Sequence, residues 1–457
     1  MNHELSSTIC ASATAPGGAL AVVRVSGPDA LAIVSSLCSV HCDNVAVNTV
    51  HFTRITDGTD IIDEVLVTVF RAPHSYTGED SIEISCHGSS YILNRVLALL
   101  IEKGCRMARP GEFTMRAYLN GKMDLSQAEA VADLIASSNK ATHDIAMRQL
   151  RGHFSSELDR LREQLLKLTS LLELELDFSD HEDLEFADRA ELLSLAQEID
   201  SRVMNLARSF EAGQALKRGI PVAIVGKTNV GKSTLLNQLV GDERAIVSDI
   251  HGTTRDTIEE TMEIDGVQFR FIDTAGLRQT SDRVEQIGIE RTNTAIQKAR
   301  IVLWLFDQKP SEEEVNDMLG RCELSALIPV LNKVDGADDA GSFWTFCPSV
   351  PPALKISAKH GRAVSRLKRS IFDQARKLGL IANSSDLVVT NARHYDALLR
   401  AHDSIQRVVS GLDLQLSGDL LSEDLRHALD ILAEITGGKI TPQETLNNIF
   451  SHFCVGK

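Results

Sequence analysis

The sequence predicts a multidomain protein of mixed α/β and all-α structure, in which an α/β domain is inserted into a helical domain. Short β-rich runs such as IPVAIVG and IVLWLF alternate with helical spacers between residues 219 and 380, which is typical of a parallel sheet flanked by helices. Apolar residues recur every three or four positions on both sides of this region, which indicates amphipathic helices there. At 457 residues, the chain is also too long for one ordinary hydrophobic core.

The N-terminal part, to about residue 120, is predicted to be a separate α+β unit. Its runs ALAVVRVSG and SIEISCHG have the composition of strands, and an amphipathic helix is predicted near Tyr91 to Lys103. We therefore expect an N-terminal α+β domain over 1–120, the first half of the helical domain over 121–216, the inserted domain over 217–380 and the second half of the helical domain over 381–457.

Apolar stripes define the helices of the two helical halves. They run from Leu158 to Leu172, Leu192 to Phe210, Leu398 to Leu412 and Leu421 to Ile435. Gly437 and Gly438 are predicted to end the last of these helices. Thr441, Pro442 and Glu444 form a capping box with proline at the first helical position, which predicts a short final helix carrying Leu446, Ile449, Phe450 and Phe453.

Composition narrows the possible classes of function. There is no apolar run of the roughly 18 residues that a membrane helix needs, and the first residues lack the basic start of a secretory signal, so we expect a cytoplasmic protein. Eight cysteines without a CxxC pair indicate neither a disulfide framework nor a zinc ribbon. The net charge of -16 argues against a protein that coats nucleic acid, but it leaves room for one local basic site.

The segment GKTNVGKS, residues 226–233, predicts a phosphate-binding loop because it follows an apolar strand and precedes a helix. In such a loop the backbone N–H groups and the helix N-terminus surround the phosphates. Lys232 is expected to reach the β- and γ-phosphate oxygens, and Ser233 to bind Mg²⁺. The later segment DTAG places Asp273 near the metal and the amide of Gly276 near the γ-phosphate.

Two further motifs predict guanine as the base. In NKVD, residues 332–335, the carboxylate of Asp335 can accept hydrogen bonds from guanine N1–H and the 2-amino group, a pair of donors that adenine lacks. In SAK, residues 357–359, the amide of Ala358 is expected to donate to guanine O6. With its four motifs in this order, the inserted domain resembles the Ras-like P-loop GTPase domain, and GTP is the expected substrate.

A predicted switch segment, SDIHGTTRD, spans residues 248–256. Thr254 is the expected magnesium ligand, bound only when the γ-phosphate is present, which would make the segment an order–disorder switch. Arg255 and Arg278 can act as arginine fingers, or each can pair with a surface carboxylate; the residues alone leave both interpretations open.

Hydrolysis must be completed without the glutamine that Ras-like enzymes have directly after DxxG. This chain has Leu277 there, and its side chain cannot hold a water molecule by hydrogen bonding. Glu285 can orient the water or can be a solvated helix residue, and the chemistry alone favours neither. Asn229 can help to hold a monovalent cation where an arginine finger would otherwise supply positive charge.

Long motifs outside the inserted domain resemble those of the MnmE (TrmE) family of tRNA-modification GTPases. They are SYTGEDSIEISCHG, ARPGEFTMRAYLNGKMDLSQAEAVADLI, TNARH and the terminal FCVGK, together with GTTRD in the switch segment. The resemblance spans essentially the whole chain. It implies an N-terminal folate-binding domain that also forms a homodimer, a helical domain and an inserted GTPase domain.

The resemblance also implies an activity. Together with a flavin-dependent partner, MnmG (GidA), the family adds an aminomethyl or carboxymethylaminomethyl group to carbon 5 of the wobble uridine, position 34, of certain tRNAs. The one-carbon unit is expected from a tetrahydrofolate derivative, in its 5,10-methylene or 5-formyl form. The expected assembly is a heterotetramer with MnmG. FAD and NADH are expected on that partner, and K⁺ and Mg²⁺ are expected on this chain.

The resemblance assigns site residues across the chain. It implies that potassium is bound by Asn229, Ser248, Ile250 and Thr253. It implies catalytic roles for Glu285, which would orient the attacking water, and for Cys454, whose role as nucleophile, acid or base stays open. It implies that folate is bound by Arg24, Glu83, Lys122 and Lys457. The expected GTP-binding residues are Asn229, Val230, Gly231, Lys232, Ser233, Thr234, Ser248, Asp249, Ile250, His251, Gly252, Thr253, Thr254, Asp273, Thr274, Ala275, Gly276, Asn332, Lys333, Asp335, Ser357, Ala358 and Lys359.

Two alternative interpretations assign the chain to classes of protein other than tRNA-modifying enzymes. A ribosome-assembly or RNA-binding switch protein would use the same GTPase domain without modification chemistry. A membrane switch protein would use CVGK as a prenylation box, but Lys457 at the last position and the lack of an upstream polybasic stretch argue against it.

Overall fold

The protein divides into two compact units. The first comprises Met1–Ala136, Ala146–Asp200 and Arg400–Lys457, and the second comprises Ser137–Ile145 and Ser201–Leu399. This division is coarser than the four predicted segments, whose boundaries stay predictions. The computed structural model describes residues 7–15, 17–177, 189–241, 260–272, 292–335, 339–381, 386–438, 443–451 and 453–456.

Strands and helices follow the predicted order along the chain. The strands are β1 Ile9–Ser12, β2 Leu20–Ser26, β3 Thr49–Asp57, β4 Asp60–Phe70, β5 Ser81–His87, β6 Arg106–Met107, β7 Ile220–Val225, β8 Glu260–Ile264, β9 Val267–Ile272, β10 Ile301–Phe306, β11 Leu327–Leu331, β12 Phe343–Trp344 and β13 Ala353–Lys355. The helices are α1 Ala30–Ser35, α2 Ser90–Glu102, α3 Glu112–Leu119, α4 Leu125–Ala136, α5 Lys140–Leu150, α6 His153–Asp177, α7 Arg189–Arg218, α8 Lys232–Gly241, α9 at 292–298, α10 Glu312–Arg321, α11 Val364–Lys377, α12 Ala392–Asp413, α13 Gly418–Thr436 and α14 Gln443–Ser451.

A six-stranded sheet in the order β3-β4-β5-β2-β1-β6 begins the first unit. Its neighbouring strands are antiparallel apart from β1 and β6, which are parallel. Side chains alternate between the two faces of a strand, and the apolar ones, such as Val23, Val67 and Ile84, form a core with Leu99 and Leu100 of α2. This arrangement confirms the predicted α+β unit.

The helical part of the first unit buries two of the predicted leucine stripes, those of α6 and α13. On α6, Leu161 and Leu165 are fully buried, and α6 packs along α13, whose Leu425 is also fully buried. Helix α13 ends at Gly437 in the left-handed conformation, as predicted. Helix α14 packs on α3 and α4 through Phe450 and its apolar neighbours. Thr441 and Pro442 of the predicted capping box lie outside the described residues.

The second unit contains a seven-stranded sheet in the order β12-β13-β11-β10-β7-β9-β8. The five strands from β13 to β9 are mutually parallel, and β12 and β8 are antiparallel edge strands. One face packs on α8 and α11 and the other on α9 and α10, so the sheet is covered on both sides. This is the predicted α/β domain.

Among the described residues, no helix combines the length and the hydrophobicity that crossing a membrane requires.

Candidate nucleotide-binding site and N-terminal polar site

The phosphate-binding loop lies between β7 and α8, as predicted. A side chain at Gly226 would collide with the main-chain carbonyl of Leu305 in β10, so the loop can pass the sheet only with glycine at this position. Asn229 has a φ of 66°, a left-handed conformation that asparagine tolerates better than most residues. Gly231 directly precedes α8, so the N-terminus of that helix opens onto the loop.

Lys232 lies inside the loop. Its Nζ donates to the main-chain carbonyls of Gly226 and Lys227, both at 2.7 Å. Burial lowers the pKa of this ammonium, because the charged form loses solvation there. Ser233 is half-buried at the start of α8 and Thr234 is exposed. Lys232 and Ser233 are therefore next to each other at the position where the phosphates and their metal are expected.

Asn332 connects three of the predicted GTP motifs. Its Nδ2 donates to the carbonyl of Val230 at 2.8 Å, and its Oδ1 accepts from the amide of Ala358 at 2.9 Å. The side chain is only 3% exposed. The asparagine of NKVD therefore ties the phosphate-binding loop to the SAK segment. Because the Ala358 amide is already paired, its predicted bond to guanine O6 requires this amide to be shared between two acceptors.

The acidic group predicted to read guanine is exposed and held in place. Asp335 Oδ1 accepts from the hydroxyl of Ser357 at 2.9 Å. The main-chain carbonyl of Asp335 also accepts from the guanidinium of Arg362. Lys359 lies in the exposed turn that follows Ala358. The predicted base-reading residues are thus brought together at the ends of β11 and β13.

Lys333 has a partner that the sequence did not reveal. Its Nζ donates to Asp307 Oδ2 at 2.7 Å, and this hydrogen bond is the main reason why the pKa of Asp307 lies below its ordinary value. Asp307 directly follows β10, the strand between β7 and β11. In the sequence, only its position at the end of an apolar strand could have placed Asp307 near the nucleotide site, since the carboxyl ends of parallel strands meet at one edge of a sheet.

Several predicted residues lie outside the described residues. Strand β9 ends at Ile272, whose register partner on β7 is Ala223, so the end of β9 lies beside the strand that leads into the phosphate-binding loop. The residues not described are Ser248, Asp249, Ile250, His251, Gly252, Thr253, Thr254, Arg255, Asp273, Thr274, Ala275, Gly276, Leu277, Arg278, Glu285 and Lys457.

In the first unit, Arg24 and Glu83 form an ion pair across neighbouring strands. They are direct register partners on β2 and β5. Arg24 Nε and Nη2 donate to Glu83 Oε1 at 2.9 and 2.7 Å. Tyr76 and Phe113 lie against the guanidinium, with ring centroids 5.4 and 5.6 Å from Cζ, at cation–π distance. Neither aromatic residue was predicted, although Tyr76 lies in the unusual SYTGED segment.

The C-terminal segment reaches this ion pair. The carbonyl of Gly456 accepts from Arg24 Nη1 at 3.3 Å. Phe453 and Gly456 are buried on either side of Cys454, whose side chain is exposed. The carbonyl of Cys454 also accepts from the amide of Gly111, at 3.4 Å. The prediction that the terminal cysteine is delivered to a defined place is therefore confirmed for the backbone on both sides of it.

Lys122 contacts the same loop as Tyr76, at a different point. Its Nζ donates to the carbonyl of Pro73 at 2.8 Å, and its side chain packs next to Gly78. The side chain is otherwise exposed. The loop between β4 and β5 thus contacts two of the residues predicted to bind folate. Tyr76 of this loop lies against Arg24, and Lys122 donates a hydrogen bond to the loop directly.

A buried charge network supports this loop and was missed by sequence reasoning. Arg116, which is 2% exposed, donates to both oxygens of Glu79 at 3.1 Å and to Glu112 Oε1 at 3.1 Å. Burial raises the pKa of Glu112, but hydrogen bonds from Arg106, the Arg109 amide and Arg116 outweigh it, so the pKa is lowered. Charged residues in ARPGEFTMR look solvated in the sequence, because such residues are seldom buried unless paired.

Comparison with known protein families covers nearly the whole chain. The family model described as the MnmE helical domain matches residues 125–454, and the model described as the GTP-binding protein TrmE N-terminus matches residues 8–122.

Curated relatives are similar over their full length. The tRNA modification GTPase MnmE of Bacteroides thetaiotaomicron is 51% identical, with 100% of both chains covered. That of Flavobacterium psychrophilum is 48% identical, over 98% of this chain and 99% of the relative.

Two solved GTPase structures were also found. Era, in complex with MgGDPNP and 16S ribosomal RNA nucleotides, is 26% identical and has a TM-score of 0.26, covering 40% of this chain and 66% of its own. The G domain of the T. maritima FeoB iron transporter is 21% identical and has a TM-score of 0.25, and the match covers 34% of this chain and 98% of the FeoB chain. These TM-scores are too low to support an inference.

Proposed function

The chain belongs to the MnmE family of tRNA modification GTPases, and from this premise we propose which modification it makes and with which groups. It is a GTPase that acts in tRNA modification, with GTP and Mg²⁺ at the nucleotide site. We propose that it works in the cytoplasm as a homodimer, together with a flavin-dependent MnmG partner that supplies FAD and NADH chemistry. The proposed product is an aminomethyl or carboxymethylaminomethyl group on carbon 5 of the wobble uridine, position 34.

The nucleotide site supports the GTPase half of this proposal. Lys232 would compensate the charge of the β- and γ-phosphates, and Ser233, with Thr254, would hold Mg²⁺, which supplies charge compensation for the transferred phosphoryl group. The donor set fits, since a lysine ammonium and a serine hydroxyl are adjacent at the start of α8. Asp335, oriented by the Ser357 hydroxyl, would read the guanine.

Hydrolysis is proposed to depend on a monovalent cation. Asn229 would share a potassium ion with Ser248, Ile250 and Thr253, and this ion would supply the positive charge of an arginine finger. Glu285 would orient the attacking water in the place of the glutamine of Ras-like enzymes. The left-handed backbone of Asn229 is compatible with this role, because it presents a side-chain oxygen on the loop without the strain that most residues would suffer there.

Folate binding is proposed for the N-terminal polar site. Glu83 Oε1 accepts both hydrogen bonds from Arg24, so Oε2 can accept from the amino and ring N–H groups of a pterin. Tyr76 and Phe113 provide aromatic surface next to this pair. Lys122 and Lys457 would bind the glutamyl carboxylate of a tetrahydrofolate derivative in its 5,10-methylene or 5-formyl form. The residues present fit the group in charge and in hydrogen-bonding capacity.

One observation carries the modification half of the proposal: the hydrogen bond from Arg24 to the carbonyl of Gly456. It brings the segment of Cys454 next to the residues proposed to bind the one-carbon donor. An exposed thiol two residues from this contact is available as nucleophile, acid or base.

The direct test is mass analysis of tRNA nucleosides from cells that lack the gene, complemented with the wild type or with Cys454→Ser. We expect unmodified wobble uridine in the deletion and in the Cys454→Ser arm, and restored modification with the wild type. Cys322→Ser is the matched control, because this thiol lies in the second unit and outside the proposed site. Normal wobble uridines in the deletion would refute the proposal and favour an RNA-binding GTPase without modification chemistry.

The cation dependence has a separate test. GTP turnover is expected to be faster in K⁺ than in Na⁺, and Asn229→Gly should remove this difference while retaining the left-handed backbone. Asn237→Ala, an exposed position on α8, serves as the control. Equal rates of the wild type in the two salts would contradict the assignment of Asn229.

A further inference from the structure

The N-terminus of α10 is held in a defined conformation by its own residues. The hydroxyl of Ser311 accepts from the amide of Glu314 at 3.3 Å, and Glu314 Oε2 accepts from the amide of Ser311 at 3.1 Å. This reciprocal pair is a capping box. It fixes the side chain of Glu314, whose second oxygen, Oε1, is left pointing at another partner.

That partner is Lys227 of the phosphate-binding loop. Its Nζ forms an ion pair with Glu314 Oε1. The main-chain carbonyl of the same lysine accepts from Lys232 Nζ at 2.7 Å. A single residue therefore joins α10 to the lysine that is expected to reach the phosphates.

A second carboxylate lies near Lys227. Asp307, which pairs with Lys333 of NKVD at 2.7 Å, is also attracted by Lys227, and both cations lower its pKa, Lys333 more strongly. Lys227, Asp307 and Glu314 line one cavity of about 480 Å³ between the loop, β10 and α10. The alternating charges thus connect α10 with the phosphate-binding loop and with the guanine-reading segment.

We propose that Glu314 is a positioning residue for the nucleotide: through Lys227 it holds the phosphate-binding loop in the conformation that retains GDP and GTP. Displacement of the N-terminus of α10 then speeds nucleotide release.

The strength of the contact sets the size of the effect. The side chains of Lys227 and Glu314 are 74% and 33% exposed, and ion pairs of this kind contribute little and are screened by salt. The expected change is therefore an increase of about two- to fivefold in the rate of GDP dissociation when the pair is lost. A contact of this strength slows release without blocking it.

The variant that isolates the ion pair is Glu314→Gln in the full-length chain. Glutamine preserves the capping box, so the charge is removed while the helix start is kept. Glu313→Gln is the matched control, because it removes the same charge from an exposed position one residue away. Dissociation of a fluorescent GDP analogue is measured for both variants, for Lys227→Gln and for the double variant Lys227→Gln/Glu314→Gln, at about 0.1 M and about 1 M salt.

We expect Glu314→Gln and Lys227→Gln each to speed dissociation at low salt, the double variant to be no faster than either single variant, and the differences to shrink at high salt. Thermal unfolding should be the same for Glu314→Gln and Glu313→Gln, which separates positioning from loss of structure. The proposal is overturned if Glu314→Gln releases GDP at the rate of Glu313→Gln, or if the effects of the two single variants add in the double variant.

Discussion

Replacement of Asn332 by alanine tests whether one buried side chain holds the nucleotide site together. The substitution removes the hydrogen bonds to the Val230 carbonyl and to the Ala358 amide. Val230 and Ala358 are 3% and 1% exposed, so both main-chain groups lose their partner in a place that water reaches poorly. A buried polar group left unpaired costs about 1–3 kcal/mol, which gives about 2–6 kcal/mol for the two groups.

The second unit offers a selective probe for this measurement. Both tryptophans of the chain, Trp304 and Trp344, lie in that unit, so urea unfolding followed by tryptophan fluorescence reports on it. With a slope of about 2 kcal/mol per M urea, the expected loss lowers the midpoint by about 1–3 M. GDP affinity should fall as well, since the phosphate-binding loop and the SAK segment are no longer tied together.

Asn293→Ala is the matched control. Its side-chain oxygen accepts from Arg321 at 3.2 Å in an exposed hydrogen bond of the same unit, so its loss should change stability by less than about 0.5 kcal/mol. The reasoning is refuted if Asn332→Ala unfolds at the same urea concentration as Asn293→Ala, or if it binds GDP as tightly as the wild type.

Three further predictions concern the first unit. Gly111→Ala puts a methyl group against the Phe450 carbonyl at a φ of 65°, so wobble modification should fall while GTP turnover is retained; a normal nucleoside profile would contradict this. Glu83→Gln should weaken binding of 5-formyltetrahydrofolate about tenfold or more, as expected for the loss of a hydrogen bond to a charged group. Glu64→Gln is the control and should leave binding unchanged, because Glu64 lies in an exposed ion pair on β4. Calorimetric titration measures the affinity of both variants. Because the pKa of Glu112 is lowered in the folded state, its ionisation stabilises the fold above its unfolded pKa of about 4.3 and ceases to do so as pH falls through the folded pKa. Glu112→Gln should therefore lower the free energy of unfolding by about 3–5 kcal/mol at pH 7 and by less in acid. Urea denaturation followed by circular dichroism measures this, and a difference between variant and wild type that stays constant across pH would refute the reasoning.

Much of the fold was predictable from local patterns. The strand before GKTNVGKS, the leucine stripe of α6 and the end of α13 at Gly437 all follow from periodicity and from residues with special backbone preferences. Breaks within the helical half were not resolved by the pattern. Helices α4, α5 and α6 are separated at residues 137–139 and 151–152, since apolar periodicity can continue across a short turn.

The candidate sites were predictable only in part. Arg24 and Glu83 look like ordinary strand residues in the sequence, and only the family resemblance singled them out. Their pairing follows from the register of β2 against β5, which brings together residues 59 positions apart. The partners of Lys227 and Lys333 depend in the same way on α10 and β10 lying beside the loops that carry these lysines.

The sequence by itself determined the class of fold, the order of the GTP motifs, the chemistry available at each motif and membership of the family, because these properties reside in short contiguous segments. The tertiary structure alone decided that Asn332 ties together Val230 and Ala358, that the buried Arg116 neutralises Glu79, and that Gly456 meets Arg24 across 432 residues of chain. Long-range contacts such as these are set by strand register and helix packing, which depend on the whole core and not on any one segment.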